Sequence, residues 1–84
     1  MNSIKWTQKA TKQARKLDKP VRIVILDAVE RLAAMPDCQS VIALTNHEYG
    51  YRLRVGNYRV LFDWDGSIKI VEIQEVRKRD EHTY

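Results

Sequence analysis

The chain has 84 residues, with 15 Lys+Arg against 11 Asp+Glu and a formal net charge of +4. A chain this short buries only about 60–65% of its unfolded surface, which leaves room for one compact core, a single domain over residues 1–84, and none for an elaborate cofactor cradle. Its composition, 44% hydrophobic and 31% charged with three Gly and two Pro, excludes disordered, collagen-like and low-complexity classes.

Apolar runs such as Ile23–Leu26 fall far short of the roughly 18 residues a membrane span needs. Met1-Asn2-Ser3-Ile4-Lys5 lacks the apolar core of a signal peptide. The expectation is a cytoplasmic protein without a membrane partner. The single cysteine, Cys38, has no second Cys at ligand spacing, and His47 and His82 form no HxxxH pattern. An idle thiol, no metal and no cofactor are expected.

In chain order, Ser3-Ile4-Lys5-Trp6 alternates polar and apolar and predicts a short first strand. Thr7 is placed to cap a helix running to about Leu17, with Ala10, Ala14 and Leu17 on one narrow apolar face. Asp18-Lys19-Pro20 restarts a second helix, Asp18 accepting from the orphan amides and Pro20 tolerated in the first turn. That helix runs to about Met35, with Val21, Ile25, Ala28 and Leu32 as its core stripe, widened by Val24, Val29 and Met35. Pro36 stops it. Residues Asp37 to Glu48 form a connection with one short extended piece around Val41–Leu44.

From Tyr51 the period changes to two. Tyr51, Leu53 and Val55 alternate with Arg52 and Arg54, Gly56-Asn57 supplies a two-residue hairpin turn, and Tyr58, Val60, Phe62 and Trp64 alternate with Arg59, Leu61 and Asp63. Asp65-Gly66 signals a second hairpin leading into a strand from Ser67 to about Val76, with Val71 and Ile73 in the core. The expected fold is α+β, two N-terminal helices packed on a mainly antiparallel sheet in the order β-α-α-β-β-β.

The Gly56-Asn57 turn fixes a register: Val55 opposite Tyr58, Arg54 opposite Arg59, Leu53 opposite Val60, Arg52 opposite Leu61. Alternation then sends Leu53, Val55, Tyr58 and Val60 to the helices and gathers Arg52, Arg54 and Arg59 on the other face. Opposed like charges destabilise a sheet, so this cluster reads as a polyanion site as much as a solvated surface. Arginine suits phosphate because its planar fork bonds two oxygens at once and keeps its charge. A two-residue turn at Asp65-Gly66 would place Glu72 opposite Arg59, where it could neutralise or orient it. Basic residues also dominate the first 22 positions, Lys9 and Lys12 among them, and the tail adds Arg77, Lys78 and Arg79. A nucleic-acid backbone is the natural partner, with an acidic protein partner as an equal alternative for the first helix.

The segment Tyr51-Arg-Leu-Arg-Val-Gly-Asn-Tyr-Arg-Val-Leu-Phe-Asp63, followed by an apolar strand and Val76-Arg-Lys-Arg-Asp-Glu-His-Thr-Tyr84, resembles the RelE/ParE superfamily of bacterial toxins from type II toxin–antitoxin modules. The likeness covers nearly the whole chain. It implies a RelE-like fold and one of two activities, because RelE-type members cut messenger RNA on the ribosome whereas ParE-type members inhibit DNA gyrase. The RelE pattern maps onto Arg52, Arg54, Arg59, Arg79 and Tyr84 as catalytic residues, with Lys78, Arg77, Lys9 and Lys12 as further RNA contacts. Two departures stand out: the first basic pair is often Lys and here is Arg, and aligning Lys78-Arg79 leaves Tyr84 one residue out of step, so that either Lys78 or Arg79 is the equivalent basic residue.

The resemblance thus implies an mRNA endoribonuclease, or mRNA interferase, that works without a metal. The 2′-hydroxyl attacks the adjacent phosphate, leaving a 2′,3′-cyclic phosphate and a free 5′-hydroxyl, while cations stabilise the charge building on the phosphoryl oxygens. Arg cannot act as a base near neutrality, which leaves Tyr84, His82 and Glu48 as candidate proton carriers; Tyr84 could equally stack on a base. Implied partners are a cognate antitoxin, the ribosome with its mRNA, and operator DNA through the antitoxin complex. The alternatives are a ParE-like gyrase inhibitor and a catalytically inactive co-repressor that binds antitoxin and DNA.

Overall fold

The computed structural model describes residues 1–78. Strand β1 (Ser3–Trp6) leads into helix α1 (Gln8–Arg15) and helix α2 (Lys19–Glu30), which a 3₁₀ turn (Arg31–Ala34) extends; β2 (Val41–Ala43), β3 (Tyr51–Val55), β4 (Tyr58–Asp65) and β5 (Ile70–Lys78) follow. The five strands form one sheet in the order β1-β5-β4-β3-β2. Only β1 runs parallel to its neighbour, β5. The expected order and layers are therefore present, and the short piece after Asp37 is a true edge strand.

Thr7 starts α1 as the sequence predicts. Its hydroxyl accepts the Ala10 N–H at 3.1 Å, satisfying one of the amides that a helix start leaves free. The same residue ties the helix to the sheet, because its own N–H donates to the Ile73 carbonyl at 3.0 Å. Past the end of β1, the exposed edge of β5 is covered by α1: the Val76 N–H donates to Gln13 Oε1 at 2.7 Å.

Helix α2 departs from expectation in three ways. Asp18 is its N-cap, but the carboxylate makes no capping bond; only the Asp18 carbonyl takes part, accepting the Arg22 N–H at 2.9 Å in the first helical bond. The regular helix ends at Glu30, not Met35, with the last turn tightened to 3₁₀ geometry, a common way to use up terminal carbonyls. Val24, expected to widen the core stripe, is 57% exposed. It lies off the stripe of Ile25, Val29 and Leu32, the three residues of this segment that are nearly fully buried, because only one face of α2 meets the sheet.

The core unites that stripe and Ala10 with Leu53, Val55, Val60, Phe62, Val71, Ile73 and Val76 from the inner face of the sheet. Tyr51 stacks on Phe62 at a ring separation of 5.4 Å, consistent with the core placement of the tyrosines. At one corner Asn2 acts as a clamp. Its amide donates to the carbonyls of Ala33 at 3.1 Å and Met35 at 3.0 Å, while its oxygen accepts the Trp64 indole N–H at 3.0 Å.

Candidate functional site

The β3–β4 hairpin has the register read from its turn: Val55 opposite Tyr58, Arg54 opposite Arg59, Leu53 opposite Val60, Arg52 opposite Leu61. Gly56 takes φ of +55°, and Asn57 is not in the left-handed region, the pattern of a turn that wants Gly at its first central position. Arg52, Arg54 and Arg59 consequently share the face away from the helices. With Gly56 and Tyr58 they line a shallow pocket of about 90 Å³. Among the described residues none of these three arginines has an ion-pair partner.

The β4–β5 pairing does not follow the sequence reading. The connection after Asp65 is four residues long, since Asp65 pairs with Ile70, and a bulge interrupts the ladder at Leu61/Phe62. Glu72 therefore lies opposite Asp63, and Arg59 lies opposite Arg77. Positions 54, 59 and 77 form a lateral row of arginines across three strands. Lys78, opposite Tyr58, falls on the other alternation and does not share that row.

What makes the row tolerable is Glu75, a residue the sequence reading did not single out. It is only 3% exposed, yet it sits on the outer face opposite Leu61. Arg77 grips it with two bonds, Nε to Oε1 at 2.8 Å and Nη2 to Oε2 at 3.0 Å, and Lys9 Nζ approaches Oε2 at 3.4 Å from α1. The Arg77 bonds, with help from Tyr49 and Lys9, hold the Glu75 carboxyl down to about 2 against the cost of burying it. Tyr49 lies in the loop just before β3. Its phenol is pushed up to about 12 by desolvation and by hydrogen bonding to Glu75, with Glu48 adding to the effect. That loop is anchored where the Gly50 N–H donates to Asp63 Oδ1 at 2.8 Å.

Lys9 and Arg77, both expected as RNA contacts, are thus gathered on one carboxylate. Lys12 lies one turn beyond Lys9 and is exposed. Glu48 is exposed in the loop before β3. Arg79, His82 and Tyr84 lie outside the described residues. Among the described residues no group of His, Cys, Asp and Glu is placed to hold a metal ion, and no helix is long and apolar enough to cross a membrane. The Cys38 thiol donates to the Arg31 carbonyl at 3.3 Å, and burial and Asp37 push its pKa up, which disfavours the reactive thiolate.

Fold and site together define a small α+β protein with a cationic sheet face. Residues 4–83 match the family described as the ParE toxin of the type II toxin–antitoxin system parDE, and the chain belongs to that family of toxins. No curated protein sequence gives a significant match. Similar solved structures include the RelBE2 toxin–antitoxin complex from Mycobacterium tuberculosis, with 22% identity, a TM-score of 0.80 and coverage of 93% of this chain and 98% of that one. The RelE–RelB complex from Pyrococcus horikoshii is 24% identical, with a TM-score of 0.80 and coverage of 95% and 97%. The isolated RelE toxin of E. coli is 18% identical, with a TM-score of 0.81 and coverage of 99% and 89%. These likenesses establish the RelE-like fold.

Proposed function

We propose that the toxin is a ribosome-dependent endoribonuclease that cleaves mRNA and so inhibits translation. The observation that carries this reading is the pocket of Arg52, Arg54 and Arg59, three cations on one rigid hairpin with no acidic partner among the described residues. Opposed arginines cost stability, so their placement suits a ligand that supplies the negative charge.

In the reaction, the ribose 2′-oxygen forms a bond to phosphorus as the bond from phosphorus to the 5′-oxygen breaks. The 2′-hydroxyl proton leaves to a base and the 5′-oxygen gains one. Arg59, with Arg52 and Arg54 beside it, stabilises the non-bridging oxygens as charge builds. Arginine stays protonated, so the proton carriers are other groups; Glu48 is one candidate, and His82 and Tyr84 in the tail are the others. Arg79 completes the proposed set of cations, with Lys78, Lys12, Lys9 and Arg77 along the RNA path.

A cognate antitoxin would hold the toxin inactive by shielding the arginine face or displacing the tail, and the complex would carry the toxin to operator DNA. The similar structures from M. tuberculosis and P. horikoshii are toxin–antitoxin complexes, which supports such a partner here. The second reading, inhibition of DNA gyrase without catalysis, is favoured by the ParE description of the family. Primer extension on messages after induction, read beside plasmid supercoiling in the same cells, separates them. New 5′ ends within reading frames with normal supercoiling support the nuclease. Intact messages with altered supercoiling establish the gyrase inhibitor instead.

A further inference from the structure

A buried carboxylate in the middle of a surface meant for phosphate is a paradox, since it should repel the ligand. Glu75 does not, because Arg77 and Lys9 both close on it, leaving one net positive charge at its mouth. Both of its oxygens are occupied by Arg77, so the guanidinium is locked in direction, while the N–H groups on Nη1 have no partner among the described residues. Arg77 also stands beside Arg59 in the strand register, about 5 Å away at the backbone, the ordinary strand spacing.

Resting on the polyanion reading above, we propose that Glu75 is a positioning residue that fixes Arg77 as a second phosphate subsite beside the Arg52/Arg54/Arg59 pocket, with Lys9 completing the subsite. Arg54, Arg59 and Arg77 span three strands, wide enough to engage more than one phosphate of a single RNA strand. The arginine pocket takes the scissile phosphate and the Glu75-held pair takes its neighbour. Lys9 ties α1 to the subsite through the same carboxylate. Preorganisation is the benefit: a locked guanidinium loses little freedom when phosphate arrives.

The test follows the Nε–Hε NMR signals of Arg59 and Arg77 in the whole protein as a single-stranded 2′-O-methyl oligoribonucleotide is added, a probe with no hydroxyl to attack. In the unmodified protein the Arg77 Hε should be protected from solvent exchange, and both signals should shift along one saturation curve. Glu75→Gln should abolish that protection, leave RNA affinity equal or tighter because a negative charge is gone, and slow cleavage on programmed ribosomes about 10-fold or more. In an Arg77→Gln background, Glu75→Gln should slow cleavage no further, since a residue acting through Arg77 has nothing left to position.

If Arg59 shifts and Arg77 does not, the subsite is overturned while the polyanion reading stands. If neither shifts and the RNA does not bind, both fall. A folded Glu75→Gln protein that cleaves at the unmodified rate removes the positioning role. Should Glu75→Gln fail to fold, Arg77→Gln decides: the log–log salt slope of RNA binding should drop by about 0.7, and an unchanged slope overturns the proposal.

Discussion

Arg59 stands directly opposite Arg77 across β4 and β5, and on its other side it stands opposite Arg54 across β3 and β4. A guanidinium flanked by two others in a sheet is a destabilising arrangement. Glu75 relieves one flank by holding Arg77, and the other flank, Arg54, is exposed to water. The residue left with the least local compensation among the described residues is Arg59, at the centre of the row.

Arg59→Ala should therefore fold normally by circular dichroism and show equal or slightly higher thermal stability. Cleavage of mRNA on programmed ribosomes should fall by about 10² or more, as when one preorganised charge-stabilising donor is removed. Arg59→Lys should recover only part of the activity, because an ammonium cannot reproduce the bidentate fork. Full cleavage by the folded Ala variant would remove Arg59 from the site.

Binding to single-stranded RNA should weaken steeply with salt, each phosphate contact adding roughly −0.7 to the log–log slope. Fluorescence anisotropy across low to physiological salt measures it. A flat profile would mean that the arginine face does not bind a polyanion.

Acid stability should carry the signature of Glu75. Its carboxyl has an ordinary value of 4.5 when unfolded and about 2 in the fold, so the unfolded chain binds the proton first as pH falls. The contribution is complete above about pH 4.5 and is lost as pH drops toward 2. We expect about 2 kcal/mol, less than the full displacement implies, because the Lys9 and Arg77 side chains are 59% and 53% exposed. Urea midpoints measured from pH 6 down to 2.5 should differ between the unmodified protein and Glu75→Gln at the upper end and converge at the lower. Parallel curves would place the acid sensitivity elsewhere.

Asn2→Ala should cost about 1–3 kcal/mol by leaving the Trp64 indole N–H and the Met35 carbonyl without their partner, while the Ala33 carbonyl keeps the backbone N–H of residue 2. The melting temperature should fall, by roughly 4–8 °C per kcal/mol for a domain of this size. Cleavage per folded molecule should be unchanged, since the clamp touches none of the arginines. A loss of activity beyond the loss of folded protein would contradict that separation.

The amino-acid sequence by itself determined the elements whose causes are local. Thr7 announced the first helix because a cap is a bond within one turn, and Gly56-Asn57 set the β3–β4 register because a two-residue turn admits one pairing. Period-two alternation then placed Arg52, Arg54 and Arg59 on one face. Tertiary structure decided whatever depended on distant partners. The β4–β5 register turned on a four-residue loop and a bulge at Leu61/Phe62, neither of which alternation can reveal, since one extra residue reverses which side chains face outward. The Glu75 cluster draws on α1 and two positions of β5, and such a charge can be buried only where the fold delivers its partners together. Asp18 and Val24 show the converse: the local signal for a side-chain cap went unused, and an apolar side chain near the core stripe was left exposed because α2 puts only one face on the sheet.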